Sequence, residues 1–180
     1  FGSATAFMGG NLKDTYFKLK EYAKSNNKII SFDANYRESL FGNNKEEFIK
    51  CCKEFIVDSN IVKLSEEEAK LISGIEDIKE ASQYIVNLGC ENLMVTLGKE
   101  GTLLSNREKQ ILIKTKEVKM KDATGAGDAF IGAVIAQILN EPGKSMEKIV
   151  EMANLVGGIT TTKLGALESI PTGDEVFAYN

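Results

Sequence analysis

Apolar positions recur at helical spacing in some windows of the chain and form short unbroken runs in others. Leu12, Tyr16, Leu19 and Ala23 stand at i, i+4, i+7 and i+11, which predicts a helix with those residues as its apolar stripe. Ile29-Ile30-Ser31-Phe32 reads as a short buried strand ending at Asp33. Phe48, Cys51, Cys52, Phe55 and Ile56 fall at i, i+3, i+4, i+7 and i+8, an amphipathic helix that takes both cysteines into the core. Residues 61–64 form the next strand, and Ser65-Glu66-Glu67-Glu68 has the spacing of a helix start with a capping box. A helix carrying Ile78, Ala81, Ile85 and Leu88 stops at Gly89, and 93–97 is a third strand. Residues 102–105 and 110–115 pair as a hairpin across 106–109. From 129 to 139 the chain is apolar nearly all round, which predicts a helix buried on most sides. The last helix runs from about 145 to 162.

Helices alternating with short, continuous apolar strands imply parallel strands joined by crossover helices. The expected class is α/β, a three-layer sandwich without repeats or linkers. In open sheets of this kind ligands bind beyond the carboxyl ends of the strands. The segments there are 33–37, 65–68 and 98–101, each polar or glycine-containing.

Composition narrows the chemistry. The 180 residues suit one domain, with 43% hydrophobic and 27% charged residues, the balance of a globular chain with a real core. Histidine is absent, which excludes Ser-His-Asp, Cys-His and His-ligated zinc mechanisms within the chain. A net charge of −4 disfavours nucleic acid as a partner. Cys51, Cys52 and Cys90 form neither a disulfide framework nor a zinc site, so a reducing, cytoplasmic location is expected. No apolar run is long enough to span a membrane, and no signal peptide is visible. Phe1-Gly2-Ser3-Ala4-Thr5 reads as the interior of a longer sequence.

The most informative stretch is Lys121-Asp122-Ala123-Thr124-Gly125-Ala126-Gly127-Asp128-Ala129-Phe130. Small residues run directly into an apolar helix, so backbone N–H groups lie in a first turn where they lack intrahelical partners. That arrangement suits an anion, and Asp128 falls in the same turn. Equally, Gly-Ala-Gly could serve close helix packing, with Asp128 offsetting the dipole. The stretch is neither a GxxxxGK(S/T) P-loop nor a GxGxxG dinucleotide loop.

Residues 122–130 closely resemble the C-terminal signature of the PfkB, or ribokinase-like, carbohydrate kinases, D-S/T-T-G-A-G-D-x-F, with Ala123 replacing the hydroxyl residue. Four further segments follow the family's order. Phe32-Asp33-Ala34-Asn35-Tyr36-Arg37 resembles its D-x-N-x-R segment, and Lys63-Leu64-Ser65-Glu66-Glu67-Glu68 its N-x-x-E with Ser65 in place of Asn. Val95-Thr96-Leu97-Gly98-Lys99-Glu100-Gly101 resembles V-T-x-G-x-x-G, and Ala153-Asn154 with Gly165-Ala166 and Ser169-Ile170-Pro171 its closing segment. The resemblance implies a ribokinase-like three-layer α/β/α sandwich with a mostly parallel sheet, truncated at the N-terminus. Residues 1–180 would be the nucleotide-binding and catalytic part, without the sugar-binding part and lid.

It implies phosphoryl transfer from ATP to a sugar hydroxyl, with Asp128 as general base and the Gly125, Ala126, Gly127 and Asp128 amides as an anion hole. Arg37 would face the acceptor sugar or the moving phosphate; otherwise it makes a loop salt bridge. Ser65, Thr96, Gly98 and Gly101 would line the nucleotide. Asn154 would lie beside adenine, or else be a satisfied buried amide. Glu68 would hold Mg²⁺ through water, its plain alternative being an exposed first-turn glutamate. A monovalent cation such as K⁺ would sit near Asp122, Thr124, Thr160, Lys163, Gly165 and Ser169, several through carbonyls. The likeness is greatest to bacterial fructokinases, with 2-keto-3-deoxygluconate kinases next, and it allows a homodimer in the whole protein. The other reading is a nucleotide-binding fragment without turnover of its own.

Overall fold

The computed structural model describes residues 1–179. Contacts divide the chain into two compact units: Phe1–Thr96 with Leu103–Ile111, and Leu97–Thr102 with the residues from Leu112 onward.

The first unit is built on a sheet. Helix α1 (Gly10–Ser25) precedes β1 (Ser31–Asp33), and α2 (Glu38–Phe41) and α3 (Lys45–Ile56) lead to β2 (Ile61–Ser65). Helices α4 (Glu66–Ser73) and α5 (Ile78–Asn87) then lead to β3 (Asn92–Thr96), followed by β4 (Thr102–Ser105) and β5 (Gln110–Ile113). Among the described residues the sheet runs in the order β1-β2-β3-β4-β5. β1 pairs parallel to β2 and β2 parallel to β3, in a register that sets Asp33 opposite Lys63 and Ser65 opposite Thr96. Each parallel step carries a helical crossover, as parallel strands require. Only 97–101 separate β3 from β4, and only 106–109 separate β4 from β5, connections short enough for antiparallel neighbours. The parallel strands read as apolar runs because both faces are covered: Phe32, Val62, Leu64, Leu93, Met94 and Val95 are fully buried.

Beside this sheet lies an aromatic core. Phe55 on α3 meets Phe32 of β1 at 5.0 Å, Phe7 at 5.6 Å and Phe17 of α1 at 5.4 Å. Such pairs contribute about 0.5–1.5 kcal/mol each beyond area burial. The α3 stripe is buried as its spacing predicts, cysteines included. The α1 stripe is not. Leu12 and Leu19 are exposed, and the buried side chain of α1 is Lys20. Lys20 lays its stem near the Phe55 ring, 5.2 Å from Nζ to the centroid, and donates from Nζ to the Glu54 carbonyl at 2.7 Å. A long cationic side chain thus takes an inward position that hydropathy assigns to leucine. Strand β1 also begins two residues later than predicted, leaving Ile29 exposed.

The second unit contains α6 (Ala126–Asn140), α7 (Met146–Thr160) and α8 (Gly173–Ala178). Helix α8 is absent from the predicted set. A capping box between Thr172 and Glu175 starts it, and Val176 packs with Leu155 and Ile159 of α7. Helix α6 departs from its expected burial. Ala129, Phe130, Val134 and Gln137 are buried, whereas Ile135 and Leu139 are exposed. Its uniform apolarity therefore does not mark burial on most sides. Among the described residues no helix is long and apolar enough to cross a membrane.

Candidate functional site

The expected site residues fall into two groups, one in each unit. In the first unit they gather at the carboxyl ends of β1 and β2. Ser65 ends β2 and caps α4: its hydroxyl accepts from the Glu68 N–H at 3.2 Å, and Glu68 Oε2 accepts from the Ser65 N–H at 2.7 Å. Glu68 is not the exposed first-turn glutamate of its plain reading. It is 7% exposed, and its Oε1 accepts from the backbone N–H of Tyr36 at 2.6 Å.

Next to it lies an ion pair that the sequence motifs do not announce. Lys63 Nζ reaches both Asp33 carboxylate oxygens at 3.2 and 3.3 Å, with both side chains 9% exposed. Burial pushes the Asp33 carboxyl up, while the Lys63 ammonium pulls the other way. Asp33 Oδ1 also accepts from the Asn35 N–H at 3.2 Å, closing a turn in which Asn35 has a φ of 45°. Arg37 follows with an exposed side chain that makes no hydrogen bond or ion pair among the described residues. The loop salt bridge expected of an idle Arg37 is thus absent among them. Thr96, at the end of β3, donates from its hydroxyl to the Leu64 carbonyl at 3.3 Å.

In the second unit the segment 122–128 forms the start of α6. Gly125 is its N-cap, with a φ of 79°, and a Cβ there would stand 3.2 Å from Ala166 Cα. Both the left-handed backbone and the close approach call for glycine. Asp122 fastens the turn: Oδ1 accepts from the Thr124 N–H at 2.9 Å and its hydroxyl at 2.6 Å, and Oδ2 from the Gly165 N–H at 3.0 Å. These bonds hold the Asp122 carboxyl below the usual carboxylate range. The Ala126 N–H turns back to the Ala123 carbonyl at 3.2 Å, so it is not free for an anion. The N–H groups of Gly125, Gly127 and Asp128 have no partner among the described residues. The Asp128 side chain, in the same turn, is exposed.

Asn154 is a buried amide with partners at both ends. Its Oδ1 accepts from the Thr102 hydroxyl at 2.6 Å, and its Nδ2 donates to the Ile113 carbonyl at 2.8 Å. Gly101 stands beside the same strand end: a Cβ there would lie 2.1 Å from the Ile113 carbonyl oxygen. The second glycine of the 95–101 segment is therefore demanded by the chain's own backbone. Gly98 has open space around it.

The residues expected at a monovalent cation are joined only in part. Asp122, Thr124 and Gly165 share hydrogen bonds. The Thr160 hydroxyl donates to the Val156 carbonyl and that of Ser169 to the Ala166 carbonyl, while Lys163 pairs with Glu175 at 2.6 Å. Among the described residues no group of three or more acidic or thiol side chains is placed so that it could hold a metal ion. Glu68 is buried with each oxygen already accepting an N–H, a poor fit to a hydrated Mg²⁺.

Comparison with protein families matches residues 3–173 to the pfkB family carbohydrate kinases. The chain belongs to this family. This pfkB-family chain is 34% identical over 173 residues to Fructokinase-1 of Oryza sativa subsp. japonica, covering 91% of itself and 52% of the relative. It superposes on a fructokinase of Vibrio cholerae O395, solved with fructose, ADP and calcium, with a TM-score of 0.92 at 28% identity. That match covers 99% of this chain and 59% of the other. A sugar kinase of Pyrococcus horikoshii in complex with ATP gives a TM-score of 0.82 at 34% identity, covering all of this chain and 56% of the other. The fold is accordingly ribokinase-like, an α/β sandwich. The chain spans about half the length of the curated relatives it matches.

Proposed function

We propose that the whole protein transfers the γ-phosphoryl group of ATP to a hydroxyl of a sugar, with fructose as the leading acceptor. One observation carries the reading: the first turn of α6 offers three N–H groups without a partner among the described residues, beside the exposed Asp128 carboxylate, on the segment that carries the family signature. Relatives named fructokinases and the fructose-bound V. cholerae structure support the choice of sugar. The P. horikoshii complex supports ATP as donor. Three cysteines free of disulfides support a reducing, cytoplasmic setting.

In this mechanism Asp128 accepts the proton of the attacking hydroxyl. The sugar oxygen forms a bond to the γ-phosphorus as the bond to the bridging oxygen breaks, and ADP leaves. The Gly125, Gly127 and Asp128 amides donate to oxygens whose charge shifts in the transition state, in a turn already fixed by Asp122. Arg37, free of any carboxylate partner among the described residues, meets the sugar or the phosphate. A divalent cation bound with the triphosphate supplies charge neutralisation; no residue of this chain is assigned to it.

Asp128→Asn in the whole protein tests the assignment. It removes the proton acceptor but leaves the helix turn, so kcat with fructose falls by ~10²–10⁴-fold while ATP affinity stays close to normal. A kcat near that of the unaltered protein would remove Asp128 from the reaction. Turnover with 2-keto-3-deoxygluconate and not fructose would change the acceptor and keep the mechanism.

A further inference from the structure

We propose that Glu68 is a positioning residue for Arg37: its carboxylate clamps the loop after β1 to the start of α4 and so sets where the guanidinium points. The inference rests on the kinase reading above and gives Glu68 a role other than holding a metal.

A capping box uses one glutamate oxygen, which here is Oε2 accepting from the Ser65 N–H at 2.7 Å. The other oxygen reaches 32 positions back to the Tyr36 N–H at 2.6 Å, a bond that helix capping does not require. Glu68 is a buried residue, so water competes little for either bond. A charged acceptor out of water makes hydrogen bonds roughly twice as strong as neutral ones.

The segment it grips is fixed at several points. Asp33, paired with Lys63 at 3.2 Å, accepts from the Asn35 N–H and holds that residue at a φ of 45°. The Tyr36 ring lies 4.9 Å from Phe48 and 5.8 Å from Phe41. Tyr36 is thus held by its ring on one side and its N–H on the other. The next residue is Arg37, whose exposed side chain has no partner among the described residues. A loop held this firmly, ending in an unpaired guanidinium, aims that group at something outside the chain. Glu68 is the fixed point that ties it to the β2–α4 junction.

The test is a double-mutant cycle in the whole protein with Glu68→Gln, Arg37→Ala and the pair. Gln offers one acceptor and turns an NH₂ toward the second N–H, so it loosens the clamp with little change in size. Glu68→Gln should lower kcat/KM for fructose by ~10–100-fold, the range expected from misplacing a reacting group. In the Arg37→Ala background the same change should add almost nothing, and the Mg²⁺ concentration giving half-maximal rate should not move. Independent, additive losses with a raised Mg²⁺ requirement would instead make Glu68 a metal holder and overturn the proposal.

Amide exchange followed by mass spectrometry supplies a readout without turnover. Peptides containing Tyr36 should exchange slowly in the unaltered protein and faster in Glu68→Gln, in buffer with EDTA. If Glu68→Gln does not fold, Glu68→Asp keeps the charge but lacks the reach for both N–H groups, and should give the same exchange result. Unchanged exchange in a folded variant overturns the clamp. A whole protein that lacks sugar kinase activity while exchange still responds would overturn the kinase reading and leave the clamp standing.

Discussion

Asn154 presents the sharpest choice between a ligand contact and an internal one. Its amide oxygen is taken by a hydroxyl and its amide nitrogen by a strand carbonyl, and its own carbonyl accepts from the Thr115 hydroxyl at 3.3 Å. The side chain therefore pins α7 to the residues that end β5 and begin β4. Asn154→Leu leaves the Thr102 hydroxyl and the Ile113 carbonyl buried without partners, each at a cost of ~1–3 kcal/mol. The expected outcome is a lower urea midpoint with ATP affinity unchanged once the variant is folded. A weakened ATP affinity in calorimetry, with stability intact, would place the amide against the nucleotide instead. Gly101 makes the same point by another route. It falls in a segment that resembles a nucleotide loop, yet the atom filling its missing side-chain space is the Ile113 carbonyl oxygen of its own chain.

Among elements, the junction between 122–126 and Gly165 depends on one carboxylate. Hydrogen bonds from Thr124 and Gly165 hold Asp122 below its ordinary value of 3.8. A depressed carboxyl contributes stability that is complete above the ordinary value and is lost as pH falls through the depressed one. Protection of the amides near Thr124 and Gly165, measured against the exchange of an unfolded chain at the same pH, should accordingly fall below about pH 4. Asp122→Asn should give fast exchange there already at neutral pH, with less further change in acid. Exchange at neutral pH no faster in the variant than in the unaltered protein would detach the turn from Asp122. Much of this architecture was legible from residue order. The parallel strands announce themselves as unbroken apolar runs, the α4 start as Ser65 with Glu68 three places on, and the hairpin as two short runs around 106–109. What escaped needs partners far along the chain. Lys63 meets Asp33 only because the β1–β2 register sets them opposite, and Glu68 meets Tyr36 only through the crossover between those strands. The α1 stripe failed because a lysine stem is as good a cover for Phe55 as a leucine. Apolarity all round α6 could not tell which of its faces the second unit covers.

For the whole molecule, the three thiols give a chemical reading of how tightly the first unit is closed. Cys51 and Cys52 lie on α3, Cys90 follows α5, and all three are free and buried. The thiolate is the reactive form, so burial suppresses reaction by shielding the sulfur and by raising its pKa. Desolvation pushes the Cys90 thiol up to about 12, and Cys52 well above its ordinary range. Cys51 is raised as well, though the nearby Lys13 ammonium opposes the shift. Very little Cys90 is thus ionised at pH 8, even before shielding is counted. Labelling must therefore wait for an opening that brings the core of the first unit into water, a cooperative event for residues that share one packed unit. At pH 8 with an aromatic disulfide reagent, the native protein should release almost no thiol absorbance. In rising urea the three thiols should appear together, over the same narrow range in which the secondary structure melts. Cys51 is the residue on which this can fail, since Lys13 of α1 and Glu47 of its own helix are ion-paired at its side. Rapid labelling of Cys51 alone in the absence of urea would mean that the α3 stripe is open to solvent, and that the first unit is not closed around it.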